Sequence, residues 1–133
     1  MNRIQARVTG IECNDNLHRV LLSAGNQVFT VITLELADEY VVGALVDIRF
    51  KSAHVALAKN ISGEVSIANR LQATVLEMQK GKLLVDMLLE SHAGKFYALT
   101  TAEAVERMRI VPGDCVTALM KASDLHLSKA EDA

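Results

Sequence analysis

The feature that most constrains this chain is an internal repeat, because residues 2–8 and residues 69–75 are nearly the same heptapeptide. They are Asn-Arg-Ile-Gln-Ala-Arg-Val and Asn-Arg-Leu-Gln-Ala-Thr-Val, identical at five of seven positions. Three further patches recur in the same order, residues 27–33 as 95–101, 42–46 as 112–116 and 50–57 as 120–127. Overlooking such a repeat would mis-assign the whole fold. We therefore predict a tandem duplication, with a first repeat over residues 1–60 and a second over residues 61–133.

Apolar and polar residues alternate over residues 4–8, which is typical of a half-buried strand. The same reasoning and the turn clusters at 14–16 and 24–26 predict strands at 18–23, 27–33, 45–51 and 55–58. Residues 34–40 form a short acidic segment compatible with a helix. The second copy repeats this order, with strands at 71–77, 83–89, 95–100, 115–121 and 125–127. Its helix is expected from about 102 to 108, where Thr100 and Glu103 have the spacing of a capping box.

Three strands, a short helix and two strands is the order of a small barrel of the OB type. The predicted fold class is all-β, with two tandem OB-like barrels that each carry one short helix. A sandwich and two unrelated meanders are the alternatives. Residues 59–65 are predicted to be a linker that is too short and too mixed in composition to be a free tether.

Composition and motifs exclude several classes of protein. A net charge of −2 and a pI near 6.1 give no basic footprint for nucleic acid. Cys13 and Cys115 form no metal-binding pattern, and the four histidines share no ligand spacing. The chain has no nucleophile elbow, P-loop or zinc-protease motif, so we predict that it is not an enzyme. Without a signal peptide or a long apolar run, a cytoplasmic location is expected.

Groups suited to an oxyanion recur near the ends of predicted strands. Hydroxyls, ammonium groups and turn N–H groups can together bind a tetrahedral dianion through charge-assisted hydrogen bonds. Threonine is also a common helix cap and lysine a common strand-end residue, so spacing alone leaves both interpretations open. The residues concerned are Thr33 and Thr101 before the predicted helices, and Lys51, Ser52, Lys121, Ala122 and Ser123 after the fourth strands.

These residues make the chain resemble the molybdate-binding Mop (TOBE) family, in its tandem di-Mop form. The family unit opens with a Ser-Ala-Arg-Asn-like motif, and residues 66–69 are Ser-Ile-Ala-Asn. Its threonine before the short helix is matched by Thr33 and Thr101. Its Lys-Ala-Ser-like motif is matched by residues 121–123 and, more loosely, by residues 51–53.

The resemblance implies an OB-like barrel for each repeat and a homotrimer with six Mop units in a ring. It also implies that molybdate or tungstate is held between units, for storage or homeostasis inside the cell. The oxyanion-binding residues that it implies are Ser66, Asn69, Thr101, Lys121, Ala122 and Ser123 in the second repeat, and Thr33, Lys51 and Ser52 in the first.

Two departures from the family pattern lower the expected number of working sites. Ala68 occupies the position of the family's arginine, a strong bidentate oxyanion donor, which Arg70 or Arg3 could replace only from a shifted position. The first repeat begins at Met1 and Asn2 and lacks the opening serine. Two alternatives stay open, an OB-type oligonucleotide-binding module and a structural oligomer whose ligand sites have decayed. The acidic pI and the five aromatic residues argue against the first, because such modules need a basic groove with stacking platforms.

Overall fold

The computed structural model describes residues 1–131. The strands of the first repeat are β1 (Asn2–Asn14), β2 (Leu17–Ala24), β3 (Gln27–Thr33), β4 (Leu45–Phe50) and β5 (Ala56–Ala58). Those of the second repeat are β6 (Asn69–Lys80), β7 (Leu84–Ser91), β8 (Gly94–Thr101), β9 (Cys115–Met120) and β10 (His126–Lys129). The helix α1 spans Ala102–Met108, and two 3-10 helices span Ser52–His54 and Ala122–Asp124.

The two repeats exchange their last strands. One sheet has the order β10-β4-β1-β2-β3 and the other the order β5-β9-β6-β7-β8, with every neighbouring pair antiparallel. Strand β10 of the second repeat therefore completes the first sheet, and β5 of the first repeat completes the second. The chain order does not indicate this exchange, because each exchanged strand still follows its own 3-10 helix. The two barrels are interlocked within one chain.

The alternation in sequence sets which face of each first strand is buried. In β1 the side chains of Ile4, Ala6 and Val8 point into the core while the residues between them are exposed. A bulge follows Val8, and β6 has the same irregularity after Val75. Because a bulge bends its strand and increases its twist, both repeats can close the sheet with one long first strand.

The core is continuous across the two barrels. The rings of Phe50 in β4 and Phe96 in β8 meet edge to face, with centroids 5.6 Å apart. Met120 is the register equivalent of Phe50, since it opposes Asn69 as Phe50 opposes Asn2. The apolar contact between repeats is therefore part of the main core rather than a separate interface.

Two buried asparagines join the repeats at equivalent places. The Asn69 side-chain amide accepts from Thr30 N–H at 2.8 Å and donates to Thr30 C=O at 2.9 Å. Asn2 makes the same pair of bonds to the backbone of Tyr97, both at 2.8 Å. Each asparagine thus pairs like a strand residue with the third strand of the other repeat.

Gly25 is required where the two hairpin tips meet. It has a φ of 60°, and a Cβ built on it would lie 2.1 Å from the carbonyl oxygen of His92. No side chain fits at that distance, so glycine alone lets the β2–β3 and β7–β8 turns approach this closely.

The structure confirms the all-β fold with two tandem OB-like barrels and the helix over residues 102–108. The helix cap is Thr101, whose hydroxyl accepts from Ala104 N–H, and not Thr100. The helix expected at residues 34–40 is wrong, since that segment is irregular, with a bend at residue 34 and a turn at residues 38–39. The Thr33 hydroxyl donates to the carbonyl of Glu35 instead of capping a helix. Within residues 1–131, no helix is long and apolar enough to cross a bilayer.

Candidate functional site

A small pocket lies where the second 3-10 helix packs against β3 of the first repeat, and we name it the Lys121 pocket. Its volume is about 250 Å³. It is lined by Ile32, by Ser66, Ile67 and Ala68, and by Lys121, Ala122 and Ser123. Four residues expected from the sequence, Ser66, Lys121, Ala122 and Ser123, therefore come together around one cavity.

An equivalent pocket lies between the first 3-10 helix and β8 of the second repeat, and we name it the Thr101 pocket. Its volume is about 460 Å³. It is lined by Ala53, His54, Val55 and Ala56 of the first repeat and by Leu84, Leu99, Thr100 and Thr101 of the second. Both pockets thus lie between repeats and not inside one barrel.

Strand exchange explains this arrangement. Each 3-10 helix precedes an exchanged strand, so it is carried onto the third strand of the opposite repeat. The two 3-10 helices also approach each other, with His54 Nδ1 4.0 Å from Asp124 Oδ1. His54 and Asp124 hold equivalent third positions of their helices, so this pair lies close to the approximate twofold axis that relates the repeats.

Charge in the Lys121 pocket favours an anion. Lys121 is exposed and forms no salt bridge with any residue in the described range 1–131. Ser66 and Ser123 are exposed and supply hydroxyls. The residues that line this pocket include no aspartate or glutamate. A lysine with two hydroxyls and no carboxylate is a set of donors without a competing acceptor charge.

Asn69 does not line either pocket. Its side chain is 0% exposed and is occupied by the backbone of Thr30. Since Asn69 directly follows Ile67 and Ala68, its bonds hold that wall of the Lys121 pocket against β3.

The threonines are placed unequally. The equivalent of Thr33 is Thr100 and not Thr101, because buried Phe29 and Phe96 occupy the same position in their hairpins. Thr100 and Thr101 both line the Thr101 pocket, whereas Thr33 lines neither pocket.

Lys51 and Ser52 open the first 3-10 helix, as Lys121 and Ala122 open the second. Neither lines the Thr101 pocket, where His54 takes part instead. The two pockets are therefore not chemical copies of each other.

The arginines that could replace the family's arginine differ in their availability. Arg3 is held by Asp47 at 3.4 Å and by Glu131 at 3.2 Å. Arg70 is exposed and lines an open cleft that shares Ser66 with the Lys121 pocket. Arg70 is thus the more available of the two arginines.

Sequence reasoning missed the apolar wall formed by Ile32 and Ile67 and the participation of His54. Only the pairing of β10 with β4 and of β5 with β9 brings these residues to the pockets. Within residues 1–131, no group of three His, Cys, Asp or Glu side chains is placed to hold a metal ion.

No family model and no curated protein matches the sequence. Among solved structures, the chain is similar to ModG, described as a cytoplasmic molybdate-binding protein with molybdate bound. The two are 24% identical over 97% of this chain and 96% of that chain, with a TM-score of 0.88. The chain has the fold of ModG. A molybdate-binding protein from Sporomusa ovata is 34% identical over 50% of this chain and 100% of that chain, but its TM-score of 0.48 is too low for a comparison of folds.

Proposed function

We propose that this protein binds molybdate, or tungstate, as an intact oxyanion between its repeats and serves storage or homeostasis of that anion in the cytoplasm. It performs no reaction on the anion. The observation that carries the proposal is the Lys121 pocket, where the lining residues supply one ammonium group and two hydroxyls and include no carboxylate. The full-length likeness to ModG, which is described as cytoplasmic and molybdate-bound, supports the identity of the ligand.

The chemistry of the ligand fits this set of donors. Molybdate near neutral pH is an unprotonated tetrahedral dianion, so it accepts hydrogen bonds and donates none. Lys121 supplies charge, Ser66 and Ser123 supply hydroxyls, and the N–H groups that open the 3-10 helix at Ala122 and Ser123 have no acceptor within that helix. Sulfate carries the same charge but is smaller, so we expect the pocket to reject it by its poorer fit.

The remaining residues have supporting or secondary roles in this proposal. Asn69 positions residues 66–68 through Thr30. Thr101, with Thr100, contributes hydroxyls to the Thr101 pocket, whereas Lys51 and Ser52 open the first 3-10 helix without lining that pocket. Thr33 ends β3, and its hydroxyl donates to the carbonyl of Glu35.

We further propose that three chains assemble into a ring of six units, as the resemblance to tandem di-Mop proteins implies. Both pockets lie between the two repeats of one chain. A ring of six units would also bring the repeats of neighbouring chains into contact.

Calorimetry tests the binding. Purified protein stripped of bound anions is titrated with molybdate, tungstate and sulfate, and native mass spectrometry gives the mass of the assembly and the number of anions bound. We expect molybdate to give a saturable heat signal with micromolar affinity, which corresponds to a binding free energy of about −8 kcal/mol. Sulfate should give little heat. A folded protein that gives no heat with molybdate or tungstate would contradict the proposal and favour a structural oligomer with decayed sites.

The oligonucleotide alternative has lost support. Phe29, Phe50 and Phe96 are buried in the core, Tyr40 is half-buried, and Tyr97, at 47%, is the one exposed aromatic residue in the described range. One exposed ring is a poor stacking platform for a single strand of nucleic acid.

A further inference from the structure

The loop that stands in place of a helix in the first repeat exposes three large apolar side chains. In this acidic loop, defined as residues 34–42, Leu34 is 68% exposed, Val41 55% and Val42 61%. Leu36 and Tyr40 pack partly against the core and fix the loop to the first barrel. Clustered apolar exposure on an ordered segment is typical of a surface that contacts another protein.

The same loop carries three acidic side chains without partners. Glu35, Asp38 and Glu39 are exposed, and none forms a salt bridge with a residue in the range 1–131. Residues 34–42 include no lysine or arginine. The loop is thus a negatively charged, apolar surface.

A surface of opposite charge lies at the equivalent end of the second repeat. A cavity of about 270 Å³, which we name the α1 pocket, lies between α1 and the turn after β6. Buried Val85, Val105 and Ile110 form its walls. Exposed Val111, at 51%, also lines it, and Leu83, at 78% exposed, directly follows its lining residue Lys82.

Three cations line the α1 pocket and one acid, Glu106, stands among them. The cations are Lys80, Lys82 and Arg109, which are all exposed. Throughout the part of the chain that the structure describes, none of the three forms a salt bridge. This surface is therefore positively charged and apolar, the complement of the acidic loop.

We propose that the acidic loop of one copy docks on the α1 pocket of a second copy of this chain. Opposite charges without partners and exposed apolar side chains on both surfaces identify the occupant as another copy. Directly after the acidic loop, Gly43 N–H donates to Val8 C=O and ties the end of the loop to the first barrel.

The symmetry of the chain fits this contact. The acidic loop and the α1 segment both connect the third strand of a repeat to its fourth, so they are equivalent positions in the two repeats. Each copy then offers one acidic and one basic surface, and such a head-to-tail contact closes into a ring when the rotation allows it. The inference builds on the trimer of the proposed function by naming its contact surface, and it does not depend on which anion binds.

Charge reversal tests the contact. The loop variant is Glu35→Lys with Glu39→Lys, the pocket variant is Lys80→Glu with Lys82→Glu, and the third variant combines all four changes. Sedimentation velocity at low and high salt measures the assembly. We expect the parent to form a ring of about three times the 14.5 kDa chain mass, each two-site variant to associate at least 100-fold more weakly, and the four-site variant to regain the ring.

The control reverses two exposed acids on the outer face of the second barrel, Glu77→Lys with Glu90→Lys, and should leave the ring intact. A monomeric parent would overturn the inference, as would loop and pocket variants that assemble like the parent. Failure of the four-site variant to reassemble would also overturn the direct pairing of the two surfaces. Calorimetry with molybdate on the same samples reports separately on the proposed function.

Discussion

The two repeats share their architecture and differ in their pockets. Both have a bulged first strand, an asparagine bound to the opposite repeat, a 3-10 helix after the fourth strand and an exchanged last strand. The Lys121 pocket has a lysine and a pair of serines, while the equivalent Thr101 pocket has alanine, histidine and threonine. The shared features are those that interlock the barrels.

The repeats also differ at the connection before the fourth strand. In the second repeat this connection contains α1, and Lys59 of the linker donates to the helix-end carbonyls of Met108 and Arg109 and to Asp114. In the first repeat it is the acidic loop, and Ala44 takes the position of Asp114. The difference shows that a duplicated barrel can keep its core while the connections before its fourth strands diverge in structure and charge.

The largest effect is expected from cutting the core contact between the repeats. Phe50→Ala removes a fully buried ring that meets Phe96, and we expect a loss of about 3–5 kcal/mol in the free energy of unfolding. Met120→Ala, its equivalent, should cost about 2–5 kcal/mol. Urea unfolding followed by circular dichroism measures both.

A single transition in both variants would agree with interlocked barrels. Two separated transitions in the Phe50→Ala variant would mean that one barrel can unfold alone, in disagreement with the exchanged strands.

The asparagines give the next comparison. Asn69→Ala leaves the N–H and C=O of Thr30 without partners, which should cost about 2–4 kcal/mol because buried unpaired backbone groups are expensive. Asn2→Ala should cost nearly as much through Tyr97. Thermal unfolding of the two variants measures both losses of stability. If the losses differed by more than about 2 kcal/mol, the two asparagines would not be structurally equivalent.

The repeat, the order of the strands along the chain and α1 could be predicted from the sequence, because they follow from local patterns. Alternation over residues 4–8 requires one buried face, and the segment after Thr101 combines a cap with alanine and glutamate. The sequence could not predict that residues 34–40 avoid a helix, since that segment also contains good helix formers. Eleven residues connect β3 to β4, from 34 to 44, against thirteen connecting β8 to β9, from 102 to 114, so the first connection has less room for a helix.

The candidate site was predicted in part. Ser66 and Lys121 are far apart in the chain, and their grouping came from resemblance rather than from spacing. The sequence does not indicate the strand exchange, because each last strand could pair with the fourth strand of either repeat. The structure pairs β10 with β4 and β5 with β9. Consequently Ile32 and His54 could not be assigned to the pockets. The predicted oxyanion-binding role of Asn69 stays a prediction, for a side chain whose amide bonds to Thr30.

A matched pair of lysine variants tests whether the pockets are unequal. Lys121→Ala should weaken molybdate binding by about 10- to 100-fold, since a hydrogen bond from a charged donor is worth about 1.5–3 kcal/mol. Lys51→Ala removes the equivalent lysine, which does not line the Thr101 pocket, and should change the affinity by less than about threefold. Calorimetry on both variants decides between unequal and equal pockets, and equal losses would show that Lys51 also reaches the anion.

The smallest effect concerns the anchor that only the second repeat possesses. The Asp114 carboxylate accepts from Val111 N–H and from Lys59, and these contacts hold its pKa below the ordinary value of 3.8. A carboxyl whose pKa is lower in the folded state stabilises the fold above its unfolded pKa, and this contribution is lost as the pH falls through the lower folded pKa. The parent should therefore be more stable than Asp114→Asn at pH 7, and the two should converge as the pH falls below 3.8. Urea unfolding of both proteins across this range measures the difference.

Because Ala44 occupies this position in the first repeat, Ala44→Ser is the control, and its stability difference from the parent should not vary over the same range. A parent-to-Asn difference that stayed constant with pH would mean that Asp114 anchors the second repeat through its shape and hydrogen bonds alone, and not through its charge.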